Sequence, residues 1–138
     1  MIIKNSENPL IKPKDVKPSM DNLTVIGAFN CGVTTYNNKF ILLIRVAEKY
    51  HTEEPHVVGV PMYSEELKHI YIKKFDNRTK DIDFSDPRFV KTKDELYLTS
   101  ISHFRLATSD DGIHFEIIFG CGLIFLFTSF PSFRMQRV

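Results

Sequence analysis

Two β-rich runs joined by a pair of asparagines constrain the fold more than any other feature of this sequence. The first run is "LTVIGAFNCGVTTY" (residues 23–36) and the second is "KFILLIRVAEKY" (residues 39–50), with Asn37-Asn38 between them. Asparagine tolerates the left-handed backbone that a two-residue turn between antiparallel strands requires. The stretch "FILLIRV" is apolar enough for a strand that is covered on both faces. The sequence therefore predicts a hairpin whose two strands lie inside a larger sheet.

The rest of the chain up to residue 118 also has the pattern of short strands. "HVVGVPMY" and "HIYIKKFD" are strand candidates between residues 51 and 80. Residues 88–118 contain "RFVKT", "ELYLTSI", "FRLATS" and "IHFEII", with turns at Lys93-Asp94 and Asp110-Asp111-Gly112, which predicts a β-meander. No stretch shows a convincing amphipathic helix period. The predicted fold class is all-β.

Composition limits the domain count and the partners. A chain of 138 residues with 43% hydrophobic and 25% charged residues has room for one domain. The net charge of +1 provides no electrostatic footprint for nucleic acid. Cys31 and Cys121 form no CxxC motif and have no histidine at metal-ligand spacing, so neither a disulfide framework nor a metal site is indicated. The start "MIIKNSENPLIKPKD" lacks the apolar core of a signal peptide, which favours the cytoplasm.

Strands that are apolar on both faces need neighbours, and 138 residues supply few strands. A β-propeller supplies neighbours by repeating four-stranded blades around an axis, with roughly 40 to 50 residues per blade. The stretches "FNCGVTTYNNKFILLIRV" and "SDPRFVKTKDELYLTSI" each give a polar motif, a strand, a turn and a second strand. This weak repetition predicts about two blades over residues 23–118. Residues 1–22, with three prolines among lysines and asparagines, predict an extended arm that lies over a surface and is not a packed element.

The C-terminal run from Ile117 to Phe133 contains no charged residue. It is shorter than the ~20 apolar residues of a membrane helix and contains glycine and proline, so a membrane span is not favoured. A buried strand or two of the propeller would explain part of the hydrophobicity, but the bulky side chains would need partners that the chain does not supply. The favoured interpretation is a truncation or frameshift that replaced the rest of a longer protein, which sets residues 119–138 apart.

Several motifs in this order resemble one enzyme family. They are the lead-in "NPLIKPKDVKPS", the hairpin "FNCGVTTYNNKFILLIRVAE" and the stretch "SDPRFVKTKDELYLTSISHFRLATSDDGIHFE". Together they resemble the N-terminal part of glycoside hydrolase family 130, the β-mannoside phosphorylases and related β-mannosidases, from about Asn8 to Glu116. The resemblance implies a five-bladed β-propeller of which this chain would be the N-terminal portion. After Ile118 the sequence departs from the family, which would continue into further blades and a second "DPR" motif.

Asp86 of "SDPRFV" is the candidate catalytic residue. From the residues alone, an Asp-Pro pair is most often a turn and the following arginine a surface charge. The resemblance implies that an aspartate of a "DPR" motif is the general acid, which protonates the glycosidic oxygen while inorganic phosphate attacks as nucleophile. In relatives with this spacing, however, the catalytic motif follows the "SDDGIHFE" turn. Asp86 is therefore predicted either as the general acid or as a residue with a sugar-binding or structural role.

Five further residues are candidates for binding substrate. His103 and Arg105 alternate along one strand, so they share a face, which is either a ligand-binding face or the solvent side of an outer strand. Arg45 ends an apolar strand, where it would reach the sheet edge or pair with Glu48. The resemblance implies that Arg45 and Asn30 face the sugar pocket. Arg88, next to Asp86, has the same two alternatives as His103 and Arg105.

The function predicted from the resemblance is that of an intracellular β-mannoside phosphorylase in a truncated form. Such an enzyme cleaves β-mannoside oligosaccharides with inorganic phosphate as co-substrate, inverts the anomeric carbon and releases mannose 1-phosphate, without a metal or cofactor. The alternatives are a β-mannosidase of the same family and an inactive propeller fragment that retains part of a sugar pocket. Open blade edges would allow such a fragment to form a homo-oligomer.

Overall fold

The computed structural model describes residues 6–119, which form eight strands and one short 3-10 turn. The turn is Pro13–Asp15, and the strands in chain order are β1 Leu23–Tyr36, β2 Lys39–Tyr50, β3 Val57–Ser64, β4 His69–Asp76, β5 Phe89–Lys91, β6 Leu96–Leu98, β7 Ser100–Ser109 and β8 Glu116–Ile118. The all-β prediction is confirmed for this part of the chain.

The predicted β1–β2 hairpin is present. Tyr36 pairs with Lys39, and the two residues between them, Asn37 and Asn38, have φ angles of 48° and 59°. Positive φ at both central residues is the signature of a type I′ turn, whose twist matches that of the strands it joins. The hairpin belongs to an antiparallel sheet in the order β1-β2-β7-β8. The prediction that both strands lie inside the sheet is right for β2 and wrong for β1, which is at the edge among the described residues.

The β-meander predicted for residues 88–118 is wrong in its middle. β5 pairs with β6 and β7 with β8, but β6 and β7 are not neighbours. β7 instead pairs with β2, from Phe40 opposite Ser109 to Lys49 opposite Ser100. The larger sheet therefore joins strands from both halves of the described chain. β3 and β4, both predicted, form a separate two-stranded sheet, as do β5 and β6.

Thr99 marks the point where the chain changes sheets. Its N–H donates to the Arg88 carbonyl at 2.9 Å, and its hydroxyl donates to the Pro87 carbonyl at 2.7 Å. Because these bonds tie Thr99 to the loop before β5, β6 ends at Leu98 and the next residues enter the β2 ladder. The alternation of residue types along a strand does not show which other strand it pairs with, so the sequence could not predict this change of sheet.

The N-terminal segment packs onto the larger sheet. Val16, directly after the 3-10 turn, is 3% exposed and lies in one core cluster with Ile44, Val46 and Ala107, while Ile11 packs against the same cluster. The prediction that residues 1–22 form an unpacked arm is therefore wrong for this segment. Residues 6–119 contain no α-helix, and they gain part of their core by burying these apolar side chains against β2.

Two further core clusters hold the smaller sheets. Their buried members are Leu23, Ile70 and Ile101 in one cluster and Val60, Val90 and Tyr97 in the other. The interpretations of the apolar C-terminal run concern residues 120–138, which lie outside the described residues, and they stay predictions. Within residues 6–119, no helix has the length and apolar character needed to cross a bilayer.

Candidate functional site

A buried polar cluster lies between the larger sheet and the N-terminal segment. Glu48 of β2 is fully buried and shares its face of the sheet with the core residues of the same strand. Its carboxylate accepts hydrogen bonds from the Ser19 N–H at 3.1 and 3.2 Å and from the Ser19 hydroxyl at 3.1 Å. The Nε2 of His103, which is 2% exposed, lies 3.1 Å from Glu48 Oε1. A buried carboxylate is tolerated because these donors surround it.

Arg105 completes this cluster, which we call the Glu48 cluster (Ser19, Glu48, His103 and Arg105). One terminal nitrogen of its guanidinium donates to the Ser19 hydroxyl at 2.8 Å and lies 3.9 Å from Glu48 Oε1. Its Nε is buried and has no hydrogen-bond partner among the described residues. The Phe119 ring lies 4.9 Å from the guanidinium carbon. The prediction that His103 and Arg105 share a face is confirmed, and that face is the buried one.

The pKa of Glu48 shows which interaction dominates. Burial alone raises the pKa of this carboxyl group, but the hydrogen bond and charge of His103 and the hydrogen bonds from Ser19 outweigh burial, so the pKa lies below its usual value. Burial likewise lowers the pKa of the Arg105 guanidinium, although the Glu48 carboxylate opposes this effect. Within the cluster, Ser19 and His103 thus stabilise the negative charge of the Glu48 carboxylate.

A separate cleft lies where the end of β2, the start of β3 and the loop before β5 meet. It has a volume of about 370 Å³, which falls in the range of about 300–1,000 Å³ that small-molecule sites occupy. Polar side chains and aromatic rings both line it, among them Lys49, His51, Asn77, Asp86 and Phe89. Carboxylate, amide and ammonium groups beside apolar rings are suited to bind a sugar, whose ring presents hydroxyls at its edge and C–H groups on its faces.

Asp86 enters this cleft as an ionised carboxylate. Its oxygens accept hydrogen bonds from Arg88 Nε at 2.9 Å, from an Arg88 terminal nitrogen at 2.6 Å and from the Arg88 backbone N–H at 2.9 Å. The side-chain bond, the backbone bond and the charge of Arg88 lower the Asp86 pKa to about 2. A general acid must hold a proton near neutral pH. With a pKa of about 2, the Asp86 carboxyl favours its ionised form near neutral pH, so this arrangement with Arg88 does not suit it to act as a general acid.

Arg45 and Asn30 lie apart from both of these places. Arg45 lies on the face of β2 opposite to Glu48, with its guanidinium carbon 5.2 Å from the centre of the Phe29 ring. The predicted pairing of Arg45 with Glu48 is therefore wrong. Asn30 has a φ of 51° and sits where the β1–β2 register shifts, so it occupies a bulge on the exposed edge strand.

The predicted site residues thus occupy three places and do not converge within the described residues. They are Asn30 with Arg45 on β1 and β2, Asp86 with Arg88 in the loop before β5, and His103 with Arg105 in the Glu48 cluster. Sequence reasoning missed Ser19 and the role of Glu48. Glu48 could have been found, because its place two and four residues after Val46 and Ile44 puts a charge on the buried side of an apolar strand.

No three histidine, cysteine, aspartate or glutamate side chains between residues 6 and 119 are grouped closely enough to hold a metal ion. Cys31 is exposed and unpaired within the described chain.

Comparison with known proteins identifies a relative of known activity. No family model matches the sequence. The chain is 45% identical over 120 residues to a β-1,2-mannobiose phosphorylase of Listeria innocua, a match that covers 84% of this chain and 34% of the relative. The matched span belongs to glycoside hydrolase family 130. The resemblance predicted from the sequence motifs is confirmed.

The family match extends to three dimensions. The solved structure of the Listeria innocua β-1,2-mannobiose phosphorylase in complex with β-1,2-mannobiose has a TM-score of 0.69 and 44% sequence identity to this chain. The match covers 83% of this chain and 33% of the solved one. The family 130 chain described here therefore spans about a third of the length of the relative that it matches.

Proposed function

We propose that this chain carries part of the substrate site of a β-mannoside phosphorylase. The observation that supports the proposal is the 45% identity to a β-1,2-mannobiose phosphorylase over 84% of the chain. In the proposed reaction, inorganic phosphate attacks the anomeric carbon of the mannosyl unit from the side opposite to the glycosidic bond. The bond to the leaving sugar breaks, an acid group protonates its oxygen, and the product is mannose 1-phosphate with inverted configuration. Because the reaction consumes phosphate and yields a sugar phosphate, we expect it in the cytoplasm.

The proposed architecture is about two blades of a five-bladed β-propeller. Support comes from the family, from the all-β content of the described residues and from the structural match with a TM-score of 0.69. The strand order β1-β2-β7-β8 differs from that of a blade made of four consecutive strands. We expect that the partner of β7 in a longer chain with further strands decides which strands form each blade.

The cleft beside Asp86 is the proposed sugar site. The Asp86 carboxylate can accept hydrogen bonds from sugar hydroxyls, and Asn77 and Lys49 line the same cleft. The loop that carries Asp86 is fixed, because the Pro87 carbonyl accepts hydrogen bonds from the Thr99 hydroxyl at 2.7 Å and from Lys49 Nζ at 3.4 Å. A fixed loop keeps the carboxylate aimed into the cleft, which lowers the entropy lost when a sugar binds.

Asp86 becomes the general acid in this proposal only if ligand binding draws Arg88 away. Arg88 is 81% exposed, so an anion such as phosphate can reach its guanidinium. Once the hydrogen bonds between Arg88 and Asp86 break, the Asp86 pKa returns from about 2 toward its ordinary value of 3.8. Placing the carboxyl group against the glycosidic oxygen would then have to raise its pKa further for it to hold a proton at neutral pH.

Sugar binding without catalysis is a second candidate function. Two findings favour it: the chain spans 34% of the matched phosphorylase, and the hydrogen bonds from Arg88 lower the Asp86 pKa to about 2, which favours the ionised form. In this case the cleft would retain affinity for a β-mannoside, but the chain would release no mannose 1-phosphate.

The deciding experiment measures binding and turnover separately on the full chain. Binding of β-1,2-mannobiose is followed by NMR chemical-shift changes, and turnover by mannose 1-phosphate release in the presence of phosphate. The variants are Asp86→Asn and, as a matched control, Asp110→Asn, whose carboxylate is exposed and pairs with Lys39 outside the cleft.

Turnover that Asp86→Asn abolishes and Asp110→Asn preserves would support Asp86 as the acid. Binding that Asp86→Asn weakens, without turnover in the unchanged chain, would support the second candidate. If the chain neither binds β-1,2-mannobiose nor releases mannose 1-phosphate, both proposals fail.

A further inference from the structure

Among the described residues, the outer edge of β1 is unpaired and uncharged, which is unusual for a protein that remains a monomer. β1 pairs with β2 on one side, and among residues 6–119 no strand pairs with its other side. No charged residue occurs from Asn22 to Asn38. Exposed edges are normally protected by lysine, proline or inward charges, which prevent pairing with another strand. After its bulge at Asn30, β1 has none of these protections.

The hairpin geometry determines which backbone groups face this free edge. In a two-residue type I′ hairpin the closing pair, here Tyr36 and Lys39, is hydrogen-bonded. Because hydrogen-bonded and non-hydrogen-bonded pairs alternate, the backbones of Tyr36, Thr34 and Gly32 face β2. Val33 and Thr35 consequently point their N–H and C=O groups outward, toward the free edge.

We propose that β1 pairs with β1 of a second copy of this chain, antiparallel and about a two-fold axis that passes through Thr34. In this register Val33 lies opposite Thr35 of the second copy, and Thr35 lies opposite Val33. Both residues have outward backbone groups, so the two pairs exchange four hydrogen bonds. The two larger sheets become one continuous sheet with β1 next to β1 at its centre.

The side chains favour the same register. Thr34 meets Thr34 of the second copy, and threonine pairs across strands are stabilising. Gly32 lies opposite Tyr36 of the second copy, so the tyrosine ring, 68% exposed in one chain, covers a residue without a side chain. Val33, which is 69% exposed, gains a β-branched neighbour in Thr35. A strand that pairs with itself brings like charges together if it carries any, and this one carries none.

Neighbouring registers satisfy fewer backbone groups. An axis at Val33 places Thr35 opposite Cys31, which lies in the stretch where the β1–β2 register shifts. An axis at Thr35 places Val33 opposite Asn37 in the turn. Each of these registers keeps a single pair of outward residues, whereas the axis at Thr34 uses both. The bulge at Asn30 also limits the pairing to residues 32–36. None of these residues lines the proposed sugar site, so the two proposals can fail independently.

The first test is the mass of the full chain in solution, measured by analytical ultracentrifugation over a concentration series. Thr34→Lys places two lysines face to face at the axis, and we expect it to weaken dimerisation by at least tenfold. Thr35→Pro removes an outward N–H without removing a β1–β2 hydrogen bond, and it should have the same effect. Thr79→Lys, which adds the same charge at an exposed loop position, is the matched control and should leave the dimer intact.

The second test reports the register directly. In a background with Cys31→Ser and Cys121→Ser, Thr34→Cys places two thiols opposite each other in a non-hydrogen-bonded pair, where the Cβ atoms are roughly 4.5–5.5 Å apart. Mild oxidation should give a disulfide-linked dimer on a non-reducing gel. Tyr36→Cys in the same background is the control, because its two copies lie four residues apart along the strand, about 13 Å.

The proposal is established if Thr34→Lys dissociates the dimer and if Thr34→Cys forms the disulfide-linked dimer while Tyr36→Cys does not. A monomeric chain at all concentrations overturns it, as does a dimer that survives both Thr34→Lys and Thr35→Pro. Equal cross-linking at positions 34 and 36 overturns the register. Circular dichroism of each variant distinguishes loss of the dimer from loss of the fold.

Discussion

Replacing Glu48 by glutamine removes the buried negative charge of the Glu48 cluster while almost conserving side-chain volume. The glutamine oxygen can still accept a hydrogen bond from Ser19, but its amide group turns a donor toward His103 or the Ser19 N–H. Removing one partner of a buried ionic network costs about 3–5 kcal/mol, and a hydrogen bond to a charged group contributes about 1.5–3 kcal/mol net. Because one acceptor is retained, we expect Glu48→Gln to lower the free energy of unfolding by about 3 kcal/mol at neutral pH.

The dependence on pH is the stricter part of this prediction. The Glu48 pKa in the folded chain lies below its ordinary value of 4.5. The ionised carboxylate therefore stabilises the fold fully above the pKa of the unfolded chain, and this stabilisation is lost as the pH falls through the lower pKa of the folded chain. The difference in stability between the unchanged chain and Glu48→Gln should be largest at neutral pH and should shrink below pH 4.5.

Urea unfolding followed by far-UV circular dichroism at neutral and acidic pH measures this difference. Glu54→Gln is the matched control, because Glu54 pairs with Lys74 at the surface, where both side chains are about half exposed. We expect no measurable change for the control, since water screens such pairs. A loss below about 0.5 kcal/mol for Glu48→Gln, the scatter of ordinary surface substitutions, would refute the reasoning, and so would a difference that is the same at neutral and acidic pH.

Two further predictions concern the turns. Asn38 has a φ of 59°, so Asn38→Ala should destabilise the chain by about 1 kcal/mol, while Asn38→Gly should be no less stable, which urea unfolding of the two variants compares. Asp111 Oδ2 lies 2.6 Å from His114 Nδ1, and this hydrogen bond and charge raise the His114 pKa above 6.5. Asp111→Asn should return that pKa toward 6.5 in an NMR titration of the imidazole, and an unchanged titration would show that the pair does not form in solution. Because the His114 pKa is raised in the folded chain, its protonated form stabilises the fold below the pKa of the unfolded chain. This stabilisation is lost as the pH rises through the His114 pKa of the folded chain.

Local pattern predicted most of the strands. The asparagine turn, the two strands on either side of it and the separate strands β3 and β4 followed from residue types and alternation, since turn chemistry and side-chain period are local properties. The pairing of β7 with β2 did not follow, because the partner of a strand is chosen by packing between residues distant in sequence. Val16 was misjudged for the same reason: a lone valine among prolines and lysines looks solvated until the sheet that covers it is known.

The candidate site was less predictable than the fold. The sequence indicated which residue types to suspect, but it could not show that Arg88 folds back onto Asp86 and holds it ionised, since that depends on the turn between them. It also could not show that Arg45 and Arg105 lie on opposite faces of the larger sheet. These two arginines belong to different strands, and only the pairing register relates the faces of two strands.

The β2–β7 ladder joins residues that are far apart along the chain, from 51 positions between Lys49 and Ser100 to 69 between Phe40 and Ser109. The β1–β2 hairpin closes a two-residue loop, whereas the first β2–β7 contact closes a loop of about 50 residues. The loop-closure entropy makes that second step about 3 kcal/mol less favourable. The hairpins should therefore form early, and the central ladder should set the folding rate. Until that ladder forms, β2 exposes a free edge of its own, so the time spent before closure is when the chain is most exposed to aggregation.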